Sequence, residues 1–127
     1  MLDNYSIPGE DFQEEYNMLS KDKKVILNIK RFFMGIDNKN YGYSYSVLSE
    51  NFRNNKFASK EDFINYAKQN FFDENEIKYI SFKEENGIFI YEIILTDATG
   101  KNSEERTFNM IMKLNSETNF EMSFSKK

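Results

Sequence analysis

Near Asn75 the chain changes rhythm, and that change constrains its fold more than any other feature. Before Asn75, apolar residues recur every three or four positions; after it they alternate every second position to the end of the chain. The first period belongs to helices that bury one stripe, the second to strands that bury one face. Helices followed by a run of strands predicts an α+β pair of layers, not interleaved βαβ units. At 127 residues the chain has the length of one domain with a single core.

Three helical stretches are predicted. The first runs from Ser20 to Ile36, with Ser20 as N-cap, its hydroxyl accepting from a free amide of the first turn. Val25, Ile29, Phe32 and Ile36 form its stripe, widened by Ile26 and Phe33, and Gly35 with Asp37-Asn38 breaks it. Leu27 and Met34 fall on the opposite side, a heptad apart. Either the lead-in segment covers them or a partner does. A second helix covers Asn40 to Phe52, where Tyr41, Tyr45, Leu48 and Phe52 make one face. Ser59 caps a third, with Asp62 at its third position and Phe63, Ile64, Ala67 and Phe71 on its buried side. Residues 1–19, which include the only proline, Pro8, read as an arm with a short stripe of Phe12, Tyr16 and Leu19; the domain proper is 20–127.

Four strands follow, at Ile77–Lys83, Ile88–Thr96, about 104–114 and from Phe120 onward. Glu85-Asn86-Gly87 is a tight hairpin signal, because Asn and Gly tolerate the positive φ angles of such turns. Asp97–Lys101 and Asn115–Thr118 supply the other turns, and short connections make neighbouring strands antiparallel. In the second strand Phe89, Tyr91, Ile93 and Leu95 share one face, while Ile88, Ile90 and Ile94 share the other with Glu92.

Composition excludes much chemistry. Cysteine and histidine are both absent, so no disulfide, thiolate nucleophile, Cys/His metal site or Ser-His-Asp relay can form. Acid–base catalysis would need a carboxylate, Tyr or Lys with a strongly shifted pKa. Net charge is -4, and 17 Lys+Arg are mixed with 21 Asp+Glu, without the basic stripe that replaces phosphate counterions, so no nucleic-acid partner is expected. Lys21, Lys23, Lys24, Lys30 and Arg31 tint the first helix, diluted by Asp22, as a solvated flank does. No apolar run is long enough to span a bilayer, so no direct membrane insertion is expected.

The order of elements resembles the NTF2-like (cystatin-like) superfamily. The segments that carry the resemblance are Ile29-Lys30-Arg31-Phe32-Phe33, Asn38-Lys39-Asn40-Tyr41 through Tyr45-Ser46-Val47-Leu48-Ser49, Phe52 through Ser59-Lys60-Glu61-Asp62-Phe63, and the closing Asn119-Phe120-Glu121-Met122-Ser123-Phe124. The last segment is similar to the closing strand of small NTF2-like domains of low-GC Gram-positive bacteria, several of which sit outside the membrane behind an N-terminal anchor. The resemblance implies helices wrapped on one face of a curved sheet around a conical space. In enzymes of that superfamily the cone holds an Asp/His or Tyr/Asp pair. The first cannot exist here, and the second would need a carboxylate on the inner sheet face, where the last two strands present only apolar residues. The superfold hosts enzymes and inert accessory domains alike, so it does not by itself name a function.

Two sets of candidate residues emerge. Tyr41, Tyr45 and Tyr91 supply hydroxyls for a ligand in the cone; the plainer reading makes them core aromatics whose hydroxyls reach the surface or a carbonyl. Ile90, Glu92, Ile94, Asn109, Ile111 and Lys113 form a mixed strip on the outer sheet face, suited to a homodimer or another protein partner. Glu92 is either a desolvated base or, more plainly, an outer-face carboxylate paired across the sheet with Lys113 or a similar cation. Phe32, Phe63, Met110, Met112 and Phe124 are bulky enough to fill the cone. The expectation is therefore a non-catalytic interaction or accessory domain without cofactor or metal. The alternative is a small-molecule pocket or a His-free isomerase or dehydratase.

Overall fold

The computed structural model describes residues 18–114 and 120–127. Among these residues four helices, α1 (Lys21–Asp37), α2 (Tyr41–Val47), α3 (Glu50–Lys56) and α4 (Lys60–Asn70), precede four strands, β1 (Asn75–Glu85), β2 (Ile88–Asp97), β3 (Arg106–Leu114) and β4 (Phe120–Lys126). The strands form one antiparallel sheet in the order β1-β2-β3-β4. The expected α+β architecture, with N-terminal helices and a four-stranded antiparallel sheet, is what the chain adopts. The expected stripe of Phe12 and Tyr16 and the turn at Asn115–Thr118 lie outside the described residues.

The core joins the two periodicities. Val25, Ile29, Phe32, Phe33 and Ile36 from α1 meet Phe63 and Ala67 from α4 over Phe89, Ile93, Leu95, Phe108, Met110, Met112, Met122 and Phe124 from the sheet. Many rings meet edge to face: Phe32 lies 5.1 Å from Phe33, 6.2 Å from Phe63 and 5.9 Å from Phe71. Such pairs add about 0.5–1.5 kcal/mol each beyond area burial, which suits a small core built on aromatics.

The helical layer departs from expectation in three places. The predicted helix over Asn40–Phe52 is two helices, because the backbone is extended at Leu48 and Ser49. There Leu48 makes a parallel bridge to Met122, and the Ser49 amide donates to the Met122 carbonyl at 2.8 Å. The break thus pairs backbone on the far side of β4, and the Ser49 hydroxyl caps α3 by accepting from the Phe52 amide at 3.3 Å. Leu48 remains buried, with Tyr41, Tyr45 and Phe52 packed against the core, so the stripe survives the break. Secondly, Gly35 does not stop α1. It lies inside the helix, where a Cβ would overlap Ser44 Oγ, which itself donates to the Phe32 carbonyl at 2.6 Å. Thirdly, Ser20 occupies the N-cap of α1 without capping it; its hydroxyl donates to Asp22 Oδ1 at 2.6 Å. Ser59 does cap α4, accepting from the Asp62 amide at 3.2 Å.

The hairpin between β1 and β2 turns on Asn86 and Gly87, with φ of 53° and 80°, the positive pair a type I′ turn requires. Between Tyr79 and Ser81 the register shifts, leaving Ile80 as an extra residue in β1. Asp97 organises the next turn, its Oδ1 accepting from the Thr99 amide and hydroxyl and its Oδ2 from the Asn102 amide. Those bonds hold its carboxyl below the usual range.

Candidate functional site

The expected ligand tyrosines are split between two places. Tyr45 packs its ring at a tilt against Phe63 at 5.3 Å and edge to face with Phe57 at 6.5 Å, with the Arg53 guanidinium 5.4 Å from its centroid. Tyr91 lies 5.2 Å from Tyr79 and 4.8 Å from Phe82. Among the described residues no ring contact joins Tyr41 or Tyr45 to Tyr91. Phe32, Phe63, Met110, Met112 and Phe124, each at most 2 % exposed, occupy the space between helices and sheet.

The outer sheet face is set by the register. Ile90 pairs with Ile111, Glu92 with Asn109, Ile94 with Thr107 and Ile88 with Lys113. Ser81 lies opposite Glu92 on one side, and Ser125 opposite Asn109 on the other. A polar row, Ser81–Glu92–Asn109–Ser125, therefore crosses the sheet between Ile94 and the Ile90–Ile111 pair. The cation that meets Glu92 is Lys127, at 3.0 Å, and Lys113 sits two rows away; Ser81 Oγ also donates to Glu92 at 3.2 Å. The terminal lysine reaches this face because its amide donates to the Thr107 carbonyl. Its bond to the carboxylate is the main reason Glu92 titrates below the usual carboxylate value, so Glu92 is a paired outer-face carboxylate and not a desolvated base. A cavity of about 360 Å³ lies beside this pair, lined by Ser81, Phe82, Lys83, Ile90, Glu92, Asn109 and Lys127.

A second constellation escaped the sequence. Asp37, at the end of α1, accepts on Oδ1 from both the Asn75 amide (3.0 Å) and Asn75 Nδ2 (2.8 Å). Asn75 also closes the turn from α4, its Oδ1 accepting from the Phe72 amide and its Nδ2 donating to the Phe72 carbonyl, each at 2.9 Å. Burial raises the Asp37 pKa, opposed by the two Asn75 bonds. Next to this clamp lies a groove of about 270 Å³ lined by Lys30, Met34, Asp37, Asn75, Ile77 and Tyr79. The Tyr79 hydroxyl is buried and has no hydrogen-bond partner among the described residues. Burial, with Tyr91 a lesser cause, pushes its pKa far up, so it is a neutral phenol at any ordinary pH. Lys30, Met34 and Asp37 stand at i, i+4 and i+7 of α1, a stripe visible in the sequence. That this stripe faces Ile77 and Tyr79 of β1 is visible only in the fold. Met34, one of the two off-face residues, is 37 % exposed at this groove, whereas Leu27 is buried.

Compared with protein-family models, with curated proteins and with solved structures, the chain gives no match. Among the described residues no helix is long and apolar enough to cross a membrane, and no group of three acidic residues could hold a metal ion.

Proposed function

We propose that this chain is a non-catalytic interaction domain of NTF2-like architecture, and that its outer sheet face docks a second copy of itself. The observation that carries this reading is the make-up of that face. Half-buried Ile90, Ile94 and Ile111 alternate with a polar row, and the surrounding charges balance: Lys78, Lys83, Lys113 and Lys127 against Glu76, Glu85, Glu92 and Glu121. The whole chain carries -4, so the excess acid lies elsewhere. A face whose charges balance presents no net electrostatic repulsion to a second copy of itself. The packed aromatic and methionine layer beneath supports an interaction role, since it occupies the volume an enzyme of this architecture would give to substrate.

Four strands about 4.8 Å apart, each roughly 30 Å long and presenting about every second residue, offer a face on the order of 500 Å² in projection. That is at the small end for specific association, so the dimer is weak, with a dissociation constant in the micromolar range or above. Sedimentation equilibrium over a wide concentration range tests it. The expected result is a reversible monomer–dimer equilibrium that Ile111→Glu abolishes, with melting temperature little changed because the side chain is only half-buried. A monomeric mass at the highest concentration, or a dimer indifferent to Ile111→Glu, overturns the proposal.

A further inference from the structure

We infer that the open edge of β1, where it flanks α1, takes a short extended segment of a partner protein that carries an acidic residue and, two positions later, an apolar one. β1 ends the sheet order, and among the described residues no other strand or loop pairs with its open side. The opposite edge differs, since Leu48 and Ser49 meet β4 there. Three bonds fix which main-chain groups of β1 face outward. The Thr107 carbonyl accepts from the Lys127 amide on the β4 side of β3, and the Glu74 carbonyl accepts from the Ala98 amide on the β2 side of β1. The Asn75 amide turns the other way, to Asp37. Main-chain groups alternate between sides along an antiparallel strand, so those of Ile77 and Tyr79 point away from β2, beside α1. An unpaired edge of this kind is a template for another strand.

The groove beside this stretch sets the side chains of the added segment. A strand laid antiparallel to β1 places alternate side chains between Ile77 and Tyr79 on one wall and Lys30 and Met34 on the other. Lys30 and Met34 stand about 6 Å apart along the helix axis, and same-side residues of a strand recur at about 6.7 Å. The end of α1 meets the start of β1 through Asp37 and Asn75, so the two elements run in opposite directions. Lys30 therefore lies toward Tyr79 and Met34 toward Ile77. Lys30 forms no ion pair among the described residues, and Met34 is 37 % exposed. An acid over Lys30 and an apolar side chain over Met34 satisfy both, and an antiparallel segment brings the acid first. The Asp37–Asn75 clamp closes the groove at one end, and the register shift at Ile80 ends the regular edge at the other, which limits pairing to a few residues. Main-chain bonds supply the affinity and the two side chains the selectivity. The site is separate from the outer sheet face and does not depend on self-association.

The probe is the peptide Thr-Glu-Thr-Leu-Thr, acetylated and amidated, titrated into the full chain and followed by backbone amide NMR and amide hydrogen exchange. One control carries Lys in place of Glu, and another carries a methyl group on the Leu amide nitrogen. The expected result is saturable binding that slows exchange of the Ile77 and Tyr79 amides. The Lys peptide binds roughly 3- to 10-fold more weakly, the worth of exchanging one exposed attraction for a repulsion. The methylated peptide does not bind, because it cannot donate to β1. Lys30→Glu, at an exposed position, keeps the fold and reverses the preference between the Glu and Lys peptides. The proposal is overturned if the Glu peptide does not saturate, if the methylated peptide binds as well, or if Lys30→Glu leaves the preference unchanged. It is equally overturned if the Ile77 and Tyr79 amides are already protected without peptide. Protection that grows with protein concentration would assign the edge to a second copy, and protection that does not would assign it to another segment of the same chain.

Discussion

At Gly35 a hydrogen atom stands where any other residue would drive a methyl group into Ser44. In an exposed helix interior, Gly→Ala gains about 0.5–1 kcal/mol from backbone entropy. Here the new Cβ also meets Tyr43 Cδ2 at 3.1 Å and the Asn40 carbonyl at 3.3 Å, while Ser44 is held by Phe32. Overpacking of that kind costs about 1–3 kcal/mol. Gly35→Ala is therefore expected to lower the urea midpoint, and a raised midpoint would show that α1 and α2 separate easily. The sequence presented Gly35 as a helix stop because glycine commonly follows helices, and nothing local distinguishes a stop from a close crossing. Glu92 teaches the same lesson from the other side. Its outward face was legible from the alternation, but its partner is the last residue of the chain, brought there by the β3–β4 pairing.

Among the elements, the connection from α4 to β1 carries the tightest constraint. One side chain, Asn75, ties the end of α1 to the turn after α4 through Asp37 and Phe72. Asn75→Ala removes three side-chain bonds, leaving the half-buried Asp37 with only the Asn75 amide, and is expected to cost about 1–3 kcal/mol by chemical denaturation. Asn75→Asp should be worse at neutral pH, where two carboxylates meet, and should recover as acid protonates one of them. A neutral result for both would show that the turn holds without the clamp. The change of rhythm at Asn75 was legible because it is a property of the residue pattern. The clamp was not, because Asp37 lies 38 positions away. The break between α2 and α3 was hidden by a different cause: the apolar spacing runs unbroken through Leu48, and only the need to pair β4 backbone extends the chain there. Ser49 ahead of Glu50 was the one local signal, since serine before an acidic first turn is an N-cap pattern.

For the whole molecule, acid stability is a contest between carboxylates shifted in opposite directions. Asp22, Glu92 and Asp97 titrate low, held by Ser20, Lys127 and Thr99 respectively. Each stabilises the fold above its unfolded pKa, and that contribution is lost as pH falls through the depressed value. Asp37 is raised by burial, so its contribution is full below the unfolded value of 3.8 and is lost as pH rises through the higher folded value. Asp37→Asn keeps an acceptor for Asn75 and removes this opposing slope. Its stability should climb more steeply with pH than the parent's, from about 3.8 upward, in denaturation curves taken from acid to neutral. Parallel curves would mean that Asp37 is not desolvated in the folded state.

The sequence by itself determined the layer order, the hairpin at Asn86-Gly87, the core faces of α1, β2, β3 and β4, and the exclusion of cysteine and histidine chemistry. Each of these depends on residue type and on spacing of a few positions, where period 3.6, period 2 and positive φ act locally. Tertiary structure alone decided that Lys127 meets Glu92, that a polar row divides the outer face, and that Tyr79 faces the flank of α1 with its hydroxyl buried and unpaired among the described residues. Those features depend on register and on which helix crosses which strand. They are set by packing between elements far apart in the chain, and no local periodicity records that packing.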